Sequence, residues 1–140
     1  MSGYKKPLPK PDPITAPFWE SVKAHAMKIQ RCNDTGKFFF YPRGLTPFTL
    51  SDNVSWEPVS GRGVVHAFTI VYQNRDPAFA EEVPYVVAIV ELEEGARLMS
   101  TLVDVEPDPE HVRIGMPVEV VYDDVTDEIT LPRFRPVRAD

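Results

Sequence analysis

The sequence predicts a mainly β fold: a five-stranded barrel behind an N-terminal helix and a small ribbon of paired turns. Three observations point there. Beyond Gly61, five runs rich in Val, Ile, Tyr and Phe recur, separated by turn residues. The fifteen prolines gather in the first seventeen residues and at the ends of these runs, as at Pro84, Pro117 and Pro132. A single stretch with helical apolar spacing precedes them.

The elements follow in order. Residues 1–14 alternate proline with polar residues and predict an extended leader. Residues 15–30 predict a helix, with Thr15 as N-cap and Pro17 tolerated in the first turn. Phe18, Val22, Ala26 and Ile29 fall on one face of it, and Trp19 widens the stripe. That face either packs on its own domain or docks on a partner. Residues 31–59 predict a ribbon. "KIQRC" and "KFFFYP" read as short strands joined through "NDTG", and "PRGLTPFTLSDNVSW" reads as loop.

Residues 60–140 predict the barrel. "GRGVVHAFTIVYQN" carries apolar residues on both faces, as a curved first strand does. His66 shares a face with Val64 and Phe68 and is read as a core or barrel-mouth residue. "PYVVAIVEL" and "RLMSTLV" form a hairpin through "EEGA", and an acidic connection leads to "MPVEVVYDD" and "ITLPRFRPV". Five strands with a longer link between the third and fourth have the rhythm of an OB-fold, although other five-stranded barrels share it.

Charge narrows the function classes. Residues 1–43 hold eight Lys or Arg against three acids, +5, and residues 44–140 hold seven against eighteen, −11, summing to −6. A basic head therefore precedes an acidic body, which argues against general nucleic-acid binding, because phosphate contacts supply most of that affinity. No apolar run approaches the roughly 20 residues that cross a bilayer, and the N-terminus has no apolar signal core. A single cysteine permits no internal disulfide. A cytoplasmic protein is expected.

The ribbon poses the sharpest chemical question. Cys32 and Thr35, then Thr46 and Thr49, have the two-knuckle spacing of a four-ligand zinc site, with threonine at three of four positions. Hydroxyls do not replace thiolates for zinc, so no metal is expected. Cys32 has no histidine in a recognisable catalytic arrangement with it, and the carboxylates cluster at predicted turns without a pair placed for acid–base work. Phosphate-binding loops and nucleophile elbows are missing from the sequence. Lys37, Phe38, Phe39, Phe40, Tyr41 and Arg43 interleave cations with rings, a pattern suited to a nucleotide-like anion such as coenzyme A or to simple packing.

Taken together, "PFWE", "CNDTG", "YPR", "VSGRGVVHAFTIVY", "PYVVAIVELEEGARLMSTLV", "VRIGMPVEVVYDD" and "LPRFRP" follow one another in a specific order. From about Pro13 to Pro136 the chain resembles the zinc-ribbon and OB-fold family of acyl-CoA-associated accessory proteins, long catalogued as a domain of unknown function. The resemblance implies a non-catalytic subunit that binds a thiolase-fold enzyme or a lipid-transfer-protein-like aldolase and helps form its acyl-CoA channel. It places the metal positions on Cys32, Thr35, Thr46 and Thr49, so the ribbon is expected to be degenerate and metal-free.

Structural zinc contributes on the order of 10 kcal/mol in small fingers. Phe38, Phe40, Leu45, Phe48 and Leu50 are the expected replacement core. Phe18, Trp19, Val22, Phe39 and Tyr41 are the expected docking surface, and Arg31, Lys37 and Arg43 the expected partners of coenzyme A phosphates. No cofactor is expected beyond a coenzyme A thioester as ligand. The partners expected are the enzyme subunit and acyl-CoA, with self-association open, and neither nucleic acid nor membrane. A stand-alone binder of coenzyme A or another small anion is the first alternative, and an OB-type nucleic-acid binder the second.

Overall fold

The computed structural model describes residues 6–137; the first five leader residues lie outside that range. Asp12 organises the entry to the first helix, its carboxylate accepting from the Ile14 and Thr15 amides at 2.9 and 2.8 Å. Helix α1 then runs over Ala16–Lys23, shorter than the expected 15–30. It stops because His25 adopts φ +58°, and the His25 and Ala26 amides turn back to the Val22 and Ser21 carbonyls, both at 2.9 Å. That pair of bonds is a Schellman closure, which needs a residue in the left-handed region at this position.

Ile29, expected on the helix, lies instead on strand β1, Lys28–Cys32. Strand β1 is the centre of a three-stranded sheet. It pairs antiparallel with β2 (Phe38–Phe39) and with β3 (Val54–Pro58), a strand hidden in sequence read as loop.

The barrel comprises β4 (Arg62–Val71), β5 (Tyr85–Leu92), β6 (Arg97–Leu102), β7 (Pro117–Asp124) and β8 (Thr130–Pro136). A short helix α2, Pro77–Ala80, interrupts the β4–β5 link, capped by the Asp76 carboxylate on the Ala78 amide. The strands close in the order β4-β5-β6-β8-β7 and back to β4, the OB-fold order.

A bulge between Val65 and Ala67 explains the apolar character of both faces of β4. Val65 pairs with the buried Val90. Past the extra residue, Phe68 and Ile70 pair with the buried Ala88 and Val86, so the inward parity switches. His66 sits at that bulge and is exposed, so of its two expected places, core or barrel mouth, the core is excluded.

One apolar core joins both parts. Phe18, Val22, Met27 and Ile29 are continuous with Val65, Val90, Leu98, Val118 and Phe134. Val112 and Met116, from the β6–β7 connection, plug the same core. The helix is further tied to the barrel through His25, which stacks on Tyr122 at 4.9 Å and meets the Asp124 carboxylate at 2.9 Å. The Tyr122 hydroxyl accepts from the Met27 amide. Among the described residues no helix is long and apolar enough to cross a membrane.

Candidate functional site

The barrel has one weak seam. β6 and β8 run parallel and pair only at Leu102 and Phe134. The rest of the seam is held by side chains: the Ser100 hydroxyl donates to the Pro132 carbonyl at 2.7 Å, and the Arg133 guanidinium to the Thr101 hydroxyl at 3.0 Å. Over this opening lie α1 and residues 40–42. Phe18 is buried at the base, with Trp19 edge-on to it at 5.1 Å and Phe40 on its other side at 5.1 Å. Tyr41 packs 4.5 Å from Phe40, and its hydroxyl accepts from the Met99 amide.

A groove of about 430 Å³ results, walled by Trp19, Tyr41, Leu98, Met99, Leu131 and Pro132. Its size falls within the range of small-ligand sites. Tyr41 and Met99 leave 53% and 57% of their surface to solvent and line the groove side by side with its buried base. Arg133 is the groove's one charged residue, and its guanidinium also donates to the Asp123 carboxylate at 2.7 Å. No Cys, His, Asp or Glu lines the groove. It can bind apolar matter, but it lacks a base or nucleophile of its own.

Beyond Arg133 lies a wider cavity of about 760 Å³, walled by Phe79, Tyr85 and Tyr122. The Lys6–Glu82 ion pair, 2.6 Å, stands at its edge.

The structure divides the expected docking residues. Phe18, Trp19 and Tyr41 meet at the groove. Val22 is fully buried beneath α1, and Phe39 is buried edge-on to Phe48 at 6.3 Å, so neither offers a docking surface. The expected phosphate ligands do not line the groove either. The Arg31 guanidinium donates to the Asn33 side chain at 2.9 Å, and the Lys37 ammonium lies 5.4 Å over the Phe48 ring. Arg43 is fixed by its backbone alone, its N–H and C=O paired with the buried Gln30 side chain at 2.7 and 2.6 Å.

At the ribbon, the two knuckles converge. Burial pushes the Cys32 thiol up, and the Thr35 and Thr46 hydroxyls, aided by the Thr35 and Asp34 backbone, outweigh it and hold the thiol at about 7. Cys32 and Thr46 are both fully buried. Thr49 turns away, and the Asp34 carboxylate accepts from the Ser51, Thr49 and Asn53 side chains, which together hold its pKa at about 2. Among the described residues no three His, Cys, Asp or Glu converge as a metal site would require.

The expected replacement core is only partly correct. Phe38 and Phe40 are half-buried against the main core, but Leu45, Phe48 and Leu50 are exposed. The buried Cys32 and Thr46 occupy the knuckle centre in their place.

Four groove residues, Leu98, Met99, Leu131 and Pro132, had no signal in the sequence, because the seam joins strands distant in the chain and almost unpaired.

Comparisons with known proteins converge. The family model described as the ChsH2 C-terminal OB-fold domain matches residues 56–123. A DUF35 domain-containing scaffold protein of Methanothermobacter thermautotrophicus is 39% identical over 116 residues, 81% of this chain and 85% of that protein. The 3-oxo-4,17-pregnadiene-20-carboxyl-CoA hydratase alpha subunit of Mycobacterium tuberculosis is 40% identical over 113 residues, 81% of this chain. The chain spans about a third of the length of that subunit, 35%, and 36% of a probable enoyl-CoA hydratase alpha subunit of Thermomonospora curvata. Among solved structures, the Ltp2-ChsH2(DUF35) aldolase superposes with a TM-score of 0.81 at 36% identity, covering 92% of this chain and 98% of the matched one.

Proposed function

This chain belongs to the family of the DUF35 scaffold proteins, and from that premise we propose that it is a non-catalytic accessory subunit of an enzyme acting on acyl-CoA thioesters. The solved relative contains Ltp2 and the DUF35 domain of ChsH2 in one aldolase, which supports an enzyme subunit as the partner. A thiolase-like or lipid-transfer-protein-like fold for that subunit is the finer form of the reading. The hydratase relatives support acyl-CoA as the substrate class, although this chain corresponds to only a third of each.

The observation that carries the reading is the groove over the β6–β8 seam. It holds exposed Tyr41 and Met99 against a rigid aromatic base and contains no group able to start a reaction. Such a surface is completed by a partner, and an apolar wall suits the acyl portion of a passage built between two subunits. The chemistry then resides in the partner.

The test is reconstitution. The chain, produced alone and together with the acyl-CoA-acting enzyme from its own host, is assayed for complex formation by size-exclusion chromatography and for turnover. The expected result is a stable complex, turnover only with the enzyme present, and loss of both with Met99→Lys. Turnover by the purified chain alone would overturn the reading. Calorimetry with coenzyme A separates the stand-alone alternative, since tight binding without a partner would favour it.

A further inference from the structure

The proline-rich leader takes no part in the groove. Its described residues begin at the edge of the cavity of about 760 Å³, which Lys6 and Pro7 line, and lead to Thr15 on the groove's rim. Lys6 and Pro9 are half-buried, whereas Pro7, Leu8, Lys10 and Pro11 are exposed. Burial that repeats every three residues is what one face of a polyproline II segment produces when it lies on a surface. Pro7, Pro9 and Pro11 keep such a segment extended whether or not it is docked, so docking costs little further order.

The two ends of the segment are held differently. At one end Asp12 forms a fixed hinge: its carboxylate accepts from the Ile14 and Thr15 amides, and its own amide donates to the Thr15 hydroxyl at 3.0 Å. At the other end the Lys6 ammonium meets the Glu82 carboxylate at 2.6 Å and lies 5.7 Å from the centre of the Phe79 ring. The Lys6 side chain is only 13% exposed, against 49% for Glu82. Among the described residues no backbone hydrogen bond holds residues 7–11 between these ends. Phe79 rides on α2, and the Asp76 cap and the Asn74 bond to the Tyr85 hydroxyl, 2.9 Å, fix that lip of the cavity. Arg133, the other cation of the lining, is already committed to Asp123 and Thr101 and does not compete for Glu82.

We infer that the leader is a releasable strap. Hinged at Asp12 and latched by Lys6 on Glu82 and Phe79, it walls the cavity on one side when docked and opens it when the latch lets go. One partly exposed ion pair and one cation–π contact are weak, salt-sensitive attachments, so the open form is reached without unfolding. Thr101, Leu131 and Arg133 line both the cavity and the groove. The strap therefore stands at the entrance to a space that backs directly onto the groove. Strap and latch belong to this chain alone and do not rest on the accessory-subunit reading.

The test follows access to the cavity in the full chain. Val103 lines the cavity and not the groove, whereas Ile114, 69% exposed, lines neither. Val103→Cys and, separately, Ile114→Cys are labelled with a neutral maleimide. The native Cys32 is fully buried, and the unmodified chain measures its background. Glu82→Lys or Lys6→Glu should speed labelling at position 103 about fivefold or more and leave position 114 unchanged. The double charge reversal should restore most of the slow rate, and raised salt alone should speed position 103. Equal rates at position 103 with and without the latch, acceleration at both positions, or no rescue by the double reversal would overturn the strap. The unmodified chain gives a second reading that no cysteine variant can spoil. Nuclear Overhauser contacts between the Lys6 side chain and the Phe79 ring are expected at low salt and should fade as salt rises while the melting temperature holds. Their absence at low salt, or their persistence at high salt, would count equally against a releasable latch.

Discussion

Gly63 stands where three strands meet, and replacing it with alanine tests the barrel that positions the groove. It pairs with Leu92 on β5 and with Val118 on β7. A Cβ added there would lie 2.2 Å from the Glu91 carbonyl oxygen, 2.9 Å from the Glu91 carbonyl carbon and 3.0 Å from the Leu92 Cα. All three atoms are backbone, so no side chain can rotate away, and β4 and β5 must part by roughly 1 Å to restore ordinary contact distances. Overpacking in a well-filled core costs about 1–3 kcal/mol, and an unyielding backbone places this site at the upper end. Restriction of the unfolded chain returns about 0.5–1 kcal/mol, since the backbone at Gly63 is outside the left-handed region. The net loss is about 2–2.5 kcal/mol, or roughly 8–10 °C in melting temperature for a domain of this size. Gly44→Ala is the control: its Cβ would meet nothing within 4 Å, and no loss is expected. Calorimetric melting of both variants decides the matter. A Gly63→Ala protein within about 2 °C of wild type, or indistinguishable from Gly44→Ala, would refute the close approach.

Two further outcomes separate core from surface and locate the ribbon's proton. Val22→Ala should cost about 2 kcal/mol of stability, because the side chain is fully buried, while leaving enzyme affinity per folded molecule unchanged. Trp19→Ala should lower affinity per folded molecule about tenfold or more, in addition to a loss of stability from its edge contact with Phe18, as titration of the partner and thermal melting would show. For Cys32, a folded pKa of about 7 against 9.0 for the free thiol means that stability is gained as pH rises from 7 toward 9 and that the gain is lost as pH falls through 7. Denaturant midpoints across that window should flatten in Cys32→Ser, and Thr46→Val should raise the thiol's titration as followed by thiolate absorbance. An identical slope in Cys32→Ser would refute the assignment.

The parts of the fold legible in the sequence were those set by local pattern. Strand alternation placed β4 to β8 to within a residue or two, except at the end of β4, which stops at Val71 and not at Asn74, and aromatic density near Phe18 and Tyr41 marked half of the groove. The misreadings share one cause, geometry decided by distant contacts. Apolar residues on both faces of β4 concealed the bulge that turns His66 outward. The stripe from Phe18 to Ile29 looked like one helix, because Val22 and Ile29 enter the same core from a helix and a strand. "NVSWEP" became a strand only by pairing with β1. At the knuckle, Leu45, Phe48 and Leu50 read as core by hydropathy alone, yet the space that they would fill is occupied by hydrogen-bonded hydroxyls.

That occupancy leads to the last prediction. A metal-bound ribbon is cross-linked at its centre, and chelation unfolds it. Here the centre is spanned by hydroxyls on the Cys32 sulfur and, to one side, by the Asp34 carboxylate joining Thr49, Ser51 and Asn53. Ile29 on β1 also belongs to the core shared with α1 and the barrel, so the sheet is held from beneath as well. Neither device involves a cation. Prolonged exposure to a strong chelator should therefore leave the melting curve unchanged, whereas Asp34→Ala should loosen the second knuckle. Hydrogen exchange at the Thr46 and Leu50 amides, which close the loop, is the direct readout. Release of about one zinc per chain with concurrent unfolding of the ribbon would show that the hydroxyls are not its cross-link, and rapid exchange at those two amides in the intact protein would show that these bonds do not fix the knuckle.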